Sequence, residues 1–197
     1  MGSKFSVLTL ASLATFAASH AYADAIAIKP KLTHSQIRAE SDGYGLSPQQ
    51  GRDADDTVAG LGFGVDFEFQ LDDRARFGSE VSMTNYEQNE AESSDMALAG
   101  YFAYDFISQS NMIVYGKGGL SLHQFALEDF NSASLLNGDV GVGLALAVAP
   151  SMDFGGEYRY STTLGRDDMS QDSANGIRLD DVAIERNDLS VFVSFKF

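Results

Sequence analysis

The chain has no cysteine, no tryptophan and only three prolines among its 197 residues. Without thiols it has neither a disulfide framework nor a thiolate zinc site. Basic residues are scarce as well: 13 Lys and Arg stand against 28 Asp and Glu, a formal net charge of −15. Nucleic-acid phosphates repel a chain this acidic, so no nucleic-acid partner is expected. No segment has the ~20 consecutive apolar residues of a membrane-spanning helix. Nor does any motif call for a metal or a cofactor, and neither is expected. Yet 44% of the residues are hydrophobic and 11% are aromatic, too many for a disordered acidic chain. The length suits one domain.

Residues 1–23 have the form of a secretory leader. Lys4 supplies the positive start, Phe5 to Ala18 are uncharged, and Ala21-Tyr22-Ala23 offers a small-x-small cleavage site before Asp24. The apolar stretch is too short for a spanning anchor. A mature domain over residues 24–197 is therefore expected, exported through the inner membrane. If that domain sits in a membrane, strands must do the crossing.

Strand patterning fills the mature chain. From 60 to 71, Leu61, Phe63, Val65, Phe67, Phe69 and Leu71 fall on one face, and Gly60, Gly62, Gly64, Asp66, Glu68 and Gln70 on the other. This is strict period two, with no helical stripe. The pattern recurs around 96–106, 139–148, 153–160 and 189–197, and more weakly at 26–37, 77–86 and 112–125. Eight strands of about ten residues result, the length a tilted strand needs to cross a bilayer.

The connections show what kind of sheet this is. Brief turns fall at 72–75, 107–111 and 149–151, and long connections near 38–57, 87–95, 128–137 and 161–188. Every long connection lies at the same end, as in outer-membrane barrels with short periplasmic turns and long extracellular loops. The expected fold is an eight-stranded antiparallel transmembrane up-and-down β-barrel in the bacterial outer membrane.

With the apolar face toward lipid, the other face points into the lumen. It carries the cations Lys29, Lys31, Arg76, Lys117, Arg159 and Lys196. Opposing them are the carboxylates Asp66, Glu68, Glu80, Asp105, Asp139, Asp153 and Glu157. Six against seven is close to balance, while each long connection is net negative. The interior of an eight-stranded barrel is just wide enough for its own side chains, and an unpaired buried charge is costly. These residues are expected to form an interior ion-pair plug. The alternative is a narrow porin-like channel for ions or small solutes, which would want a one-signed ring and a wider bore.

Three stretches resemble the opacity-protein and porin-like family of small outer-membrane barrels. Met96 to Phe106, ending Tyr-Asp-Phe, is similar to the family's fourth strand. Val114-Tyr-Gly-Lys-Gly-Gly-Leu120 resembles its glycine-rich fifth. Gly156-Glu-Tyr-Arg-Tyr160, with the long connection after it and a terminal Phe197, resembles its closing hairpin. The resemblance implies that Phe197 is the signal read by the barrel-assembly machinery. It also implies a surface-exposed, non-enzymatic protein in contact with lipid and lipopolysaccharide. Such a protein would contribute to envelope integrity and meet a host or surface receptor through the connections at 38–57, 87–95 and 161–188.

The acidic connections argue against binding sulfated glycans. Glu87, Glu90, Glu92 and Asp95 crowd one, and Asp167, Asp168, Asp172, Asp180 and Asp181 another. They lack the alternating spacing of a calcium loop and are expected to be solvated and mutually repelling. Ser121 and His123 share one face, as a hydrolase pair might. That face is the inner one, away from arriving acyl chains, so lipid A modification is the less favoured reading and no catalytic residue is expected.

Overall fold

Residues whose side chains alternate between two environments take the pleated conformation. In the computed structural model, which describes residues 26–44, 57–88, 91–127, 132–165, 167–170 and 178–197, nearly all of them do so. The strands are β1 (Ile26–Tyr44), β2 (Thr57–Gln70), β3 (Ala75–Gln88), β4 (Ala91–Gln109), β5 (Met112–Leu127), β6 (Ala133–Ala149), β7 (Met152–Thr163), β8 (Asp167–Ser170) and β9 (Arg178–Lys196). Each of β1 to β6 pairs antiparallel with the next, β7 pairs with β9, and β9 pairs with β1. The ring has eight strands; the short β8 attaches to β9 above the point where β7 ends. The expected leader lies outside the described residues.

Register fixes the geometry of the ring. A perpendicular circuit leaves Ile28 and passes through Phe67, Ser79, Gly100, Leu120, Gly138, Thr162 and Glu185. It returns to β1 at Arg38, ten residues further along. With eight strands this stagger requires a steep tilt, near the upper end of the ~35–45° typical of barrels. The turns at 71–74, 110–111 and 150–151 lie at one end. Asp72 organises the first, its Oδ1 accepting the Arg74 and Ala75 backbone N–H groups at 2.7 Å each. Those two donors hold the Asp72 carboxyl below the ordinary aspartate value.

The strands run further than the alternation suggests. β1 continues to Tyr44, β4 begins at Ala91, β6 at Ala133 and β9 at Arg178. The expected connections at 38–57, 87–95, 128–137 and 161–188 are each partly strand. The second turn shrinks to Ser110–Asn111, because β4 runs to Gln109. The reason is the change of solvent above the bilayer. There the outer positions are Gln36, Arg38, Asn85, Gln124, Ser134, Glu185 and Asn187, so no apolar outer face remains to mark the strand.

Across the belt the outer wall is apolar and exposed, as at Leu61, Phe63, Phe102, Val142, Leu189 and Val191. The inner wall is tiled differently. Tyr101 lies over Gly78, Tyr115 over Gly143 and Phe192 over Gly155, so a β-carbon at any of these glycines would run into a ring. With Ala97, Ala99 and Ala103 also facing inward, the lumen has room for three rings and the long charged chains between them.

Candidate functional site

Sheet register sets carboxylates beside one another and cations between them. Asp66 on β2 is the direct partner of Glu80 on β3, and both point inward. Lys31 on β1 separates them, its Nζ 2.9 Å from Asp66 Oδ1 and 2.5 Å from Glu80 Oε2. Lys117 Nζ is 2.5 Å from Glu157 Oε1 and 3.8 Å from Glu80 Oε2. Toward the periplasmic end, Lys29 Nζ lies 2.5 Å from Glu68 Oε2. Arg76 joins the same Glu68 oxygen at 2.7 Å to Asp105 Oδ1 at 2.5 Å. The Tyr101 hydroxyl shares its proton between Asp66 Oδ2 and Glu68 Oε1, at 3.1 and 3.0 Å.

Two arginines cross the full diameter. Arg159 on β7 reaches Glu80 on the opposite strand β3 at 2.8 Å, and its other nitrogen holds Asp188 Oδ2 at 2.6 Å. Arg186 on β9 binds Asp188 Oδ1 at 2.7 Å and spans to Asp95 Oδ2 on β4 at 2.6 Å. The bridges form two clusters, one running from Asp95 to Asp66 and Glu157 and one from Lys29 to Asp105, and the Tyr101 hydroxyl joins them into one chain of six cations and seven carboxylates. The rings add to it: Lys117 Nζ sits 4.4 Å from the Tyr101 centroid, Arg76 4.7 Å from Tyr115 and Lys29 5.2 Å from Phe192. Cations held against aromatic faces in this way are attracted by the ring quadrupole.

The residues singled out from sequence are distributed as follows. Lys29, Lys31, Asp66, Glu68, Glu80, Lys117, Glu157 and Arg159 come together in this chain, as do Arg76 and Asp105. Asp153 and Lys196 pair with each other at 2.7 Å near the periplasmic mouth, where the lysine is one-third exposed. Asp139 is buried on β6 and has no ion-pair partner within 4 Å among the described residues. Asp95, Arg186 and Asp188, which sequence reasoning put in the long connections, belong to the lumen. The missing signal was the apolar outer face, which ends below Asn187 and Glu185. Phe197 ends the chain with its N–H donating to Ile26 O at 2.9 Å.

Ser121 and His123 are both inside and are joined to Asp95. Ser121 Oγ is 2.9 Å from His123 Nε2, and Nδ1 is 2.8 Å from Asp95 Oδ2. A carboxylate can only accept, so Nδ1 carries a proton. The order is that of a hydrolase relay, but the serine is 2% exposed and faces a filled lumen. Among the described residues no cluster of three metal-ligating side chains occurs.

Burial decides what the arrangement can do. Side chains that line an aqueous bore are wetted, whereas Glu80 is 1% exposed and Asp188 0%. The lumen at this level is protein.

Comparison with known proteins agrees with this architecture. Neisserial surface protein A superposes with a TM-score of 0.58 at 19% identity, covering 87% of this chain and 99% of that one. The outer membrane protein OprG from Pseudomonas aeruginosa gives 0.58 at 12% identity, covering 88% and 95%. The outer membrane protein AlkL gives 0.58 at 15% identity, covering 87% and 90%. No curated protein sequence matches the chain. The model of the outer membrane protein beta-barrel domain matches residues 5–197. A closed ring with charge inside and hydrocarbon-compatible side chains outside suits such a domain. The chain belongs to the outer membrane protein beta-barrel family, and its place is the bacterial outer membrane.

Proposed function

We propose that this chain is a non-enzymatic, non-conducting barrel that presents its acidic extracellular connections to the surroundings and contributes to the integrity of the envelope. The observation that carries the reading is the filled lumen: bridges spanning its diameter and three rings bedded on glycines occupy the space a pore would need. With transport closed off, the parts left to act are the outer wall, in lipid and lipopolysaccharide, and the connections at 38–57, 87–95 and 161–188 apart from their lumen residues Asp95, Arg186 and Asp188, where a host or surface receptor would bind. Phe197 serves as the mark for the barrel-assembly machinery. The burial of Ser121 favours a structural role for the Ser121–His123–Asp95 triple.

The test is single-channel recording on protein refolded into planar bilayers. A plugged barrel shows no steady conductance, and Arg159→Ala together with Lys31→Ala opens one. Steady wild-type conductance that disappears when Gly143 is replaced by a bulky residue would establish the narrow pore instead.

A further inference from the structure

Above the ion pairs the lumen changes character. Ile37, Tyr86, Phe125, Leu135 and Ile184 pack into an apolar cap. A cavity of about 10 Å³ lies between the cap and the polar groups of Asp95, His123, Asn137 and Arg186. A space of that volume takes one water-sized molecule. Two acceptors belonging to its walls, Asp95 Oδ1 and Asn137 Oδ1, have no hydrogen-bond partner among the described residues. Asp95 is 3% exposed and Asn137 1%, so bulk water satisfies neither oxygen. The other atoms of both groups are already engaged. Arg186 and His123 both bind Asp95 Oδ2, and Asn137 Nδ2 donates to Ser161 Oγ at 3.2 Å. Bare buried acceptors are rare and costly in folded proteins.

We propose that this cavity is a binding site for a single water molecule, which donates one hydrogen to Asp95 Oδ1 and the other to Asn137 Oδ1. Chemistry and size agree on the ligand. Both free groups are acceptors, so the ligand must donate twice. Only one heavy atom fits, and the Arg186 guanidinium on the same wall repels a metal ion. The water has a structural consequence. Among the described residues, β6 is the one barrel strand that lends no side chain to the ion-pair chain, and the bound water ties it, through Asn137, to the end of that chain at Asp95.

The experiment uses the full mature barrel refolded in detergent micelles. Water-to-protein magnetisation transfer should give a persistent cross peak at the His123 Nδ1–H, lost in Asn137→Leu and retained in Asn137→Ser. The melting temperature, followed by heat-modifiable gel migration, gives a second readout, with Ser161→Ala as the reference for the lost Asn137–Ser161 bond. With a bound water, Asn137→Leu also strands Asp95 Oδ1 and lowers the melting temperature by about 3–6 °C more than Ser161→Ala does. Without one, the two substitutions lower it equally. Exchanging sodium chloride for ammonium chloride should change nothing. A missing cross peak, a melting temperature for Asn137→Leu no lower than that for Ser161→Ala, or selective stabilisation by ammonium would each overturn the proposal.

Discussion

The lower and upper halves of this barrel are built to opposite plans. In the lower half the outer wall is apolar, at Val142 and Leu189 for example, and the inner wall holds Lys31, Glu80 and Glu157. In the upper half the apolar groups have moved inside, as Ile37, Phe125, Leu135 and Ile184, while Gln36, Asn85, Gln124 and Ser134 face out. The same strands pass through both halves without a break. What changes is the solvent on the outside. Hydrocarbon accepts only apolar side chains, so within it the charges go inward and must pair; water outside restores the usual order of apolar core and polar surface. The level at which the pattern inverts marks the upper edge of the membrane.

Substitutions can break or sharpen this contrast. The largest effect is expected at Arg159, whose removal leaves Glu80 and Asp188 short of a cation in the dry half. Arg159→Ala should cost about 3–5 kcal/mol in urea unfolding from lipid vesicles; a change within ~0.5 kcal/mol would mean that water reaches this level. Next comes a paired test on the outer wall. Val142→Arg, in mid-belt, should cost about 2–4 kcal/mol, whereas Asn187→Arg, above the inversion, should cost about 0–1 kcal/mol. Equal costs would show that the boundary is misplaced. Gly143→Ala should cost about 1–3 kcal/mol, since the new methyl pushes against the Tyr115 ring. The smallest effect belongs to Asp72 in the periplasmic turn. Its folded value is depressed, so its contribution is present above the unfolded value and is lost as pH falls through the folded one. Carbon-detected titration of the side chain should place Asp72 below an unstructured aspartate, and Asp72→Asn should bring no such loss.

The lower half was legible because two solvents imposed two compositions on alternate residues of one strand. From Leu61 to Leu71 nothing else explains phenylalanine and leucine alternating with glycine, aspartate and glutamate, and inner residues such as Lys29, Glu68 and Arg76 follow from that parity alone. Which cation meets which carboxylate was not legible. Arg159 and Glu80 are 79 residues apart in sequence, and their meeting depends on the stagger around the ring, which no single strand encodes. The upper half was illegible for another reason. From Ala183 to Asp188 apolar and charged residues occur on both faces, and the parity that places Arg186 and Asp188 inside shows only in the pairing of β9 with β1 and β7.

The seam between β1 and β9 joins the first strand to the last, from Ala27 opposite Lys196 to Tyr44 opposite Arg178. Arg186 and Asp188 arrive on that final strand, so Asp95 and Arg159 cannot complete their bridges until synthesis is over and the two ends meet. Before then the sheet is an unsealed ribbon with hydrated ions along one side and raw edges on the other, and the bilayer excludes both. Sealing and insertion must therefore happen together, at the end of a search dominated by very distant partners, which is intrinsically slow. A polypeptide cut short before Leu179 would keep most of the greasy residues of its wall, losing those of β9 such as Leu189 and Val191, and still be barred from the membrane.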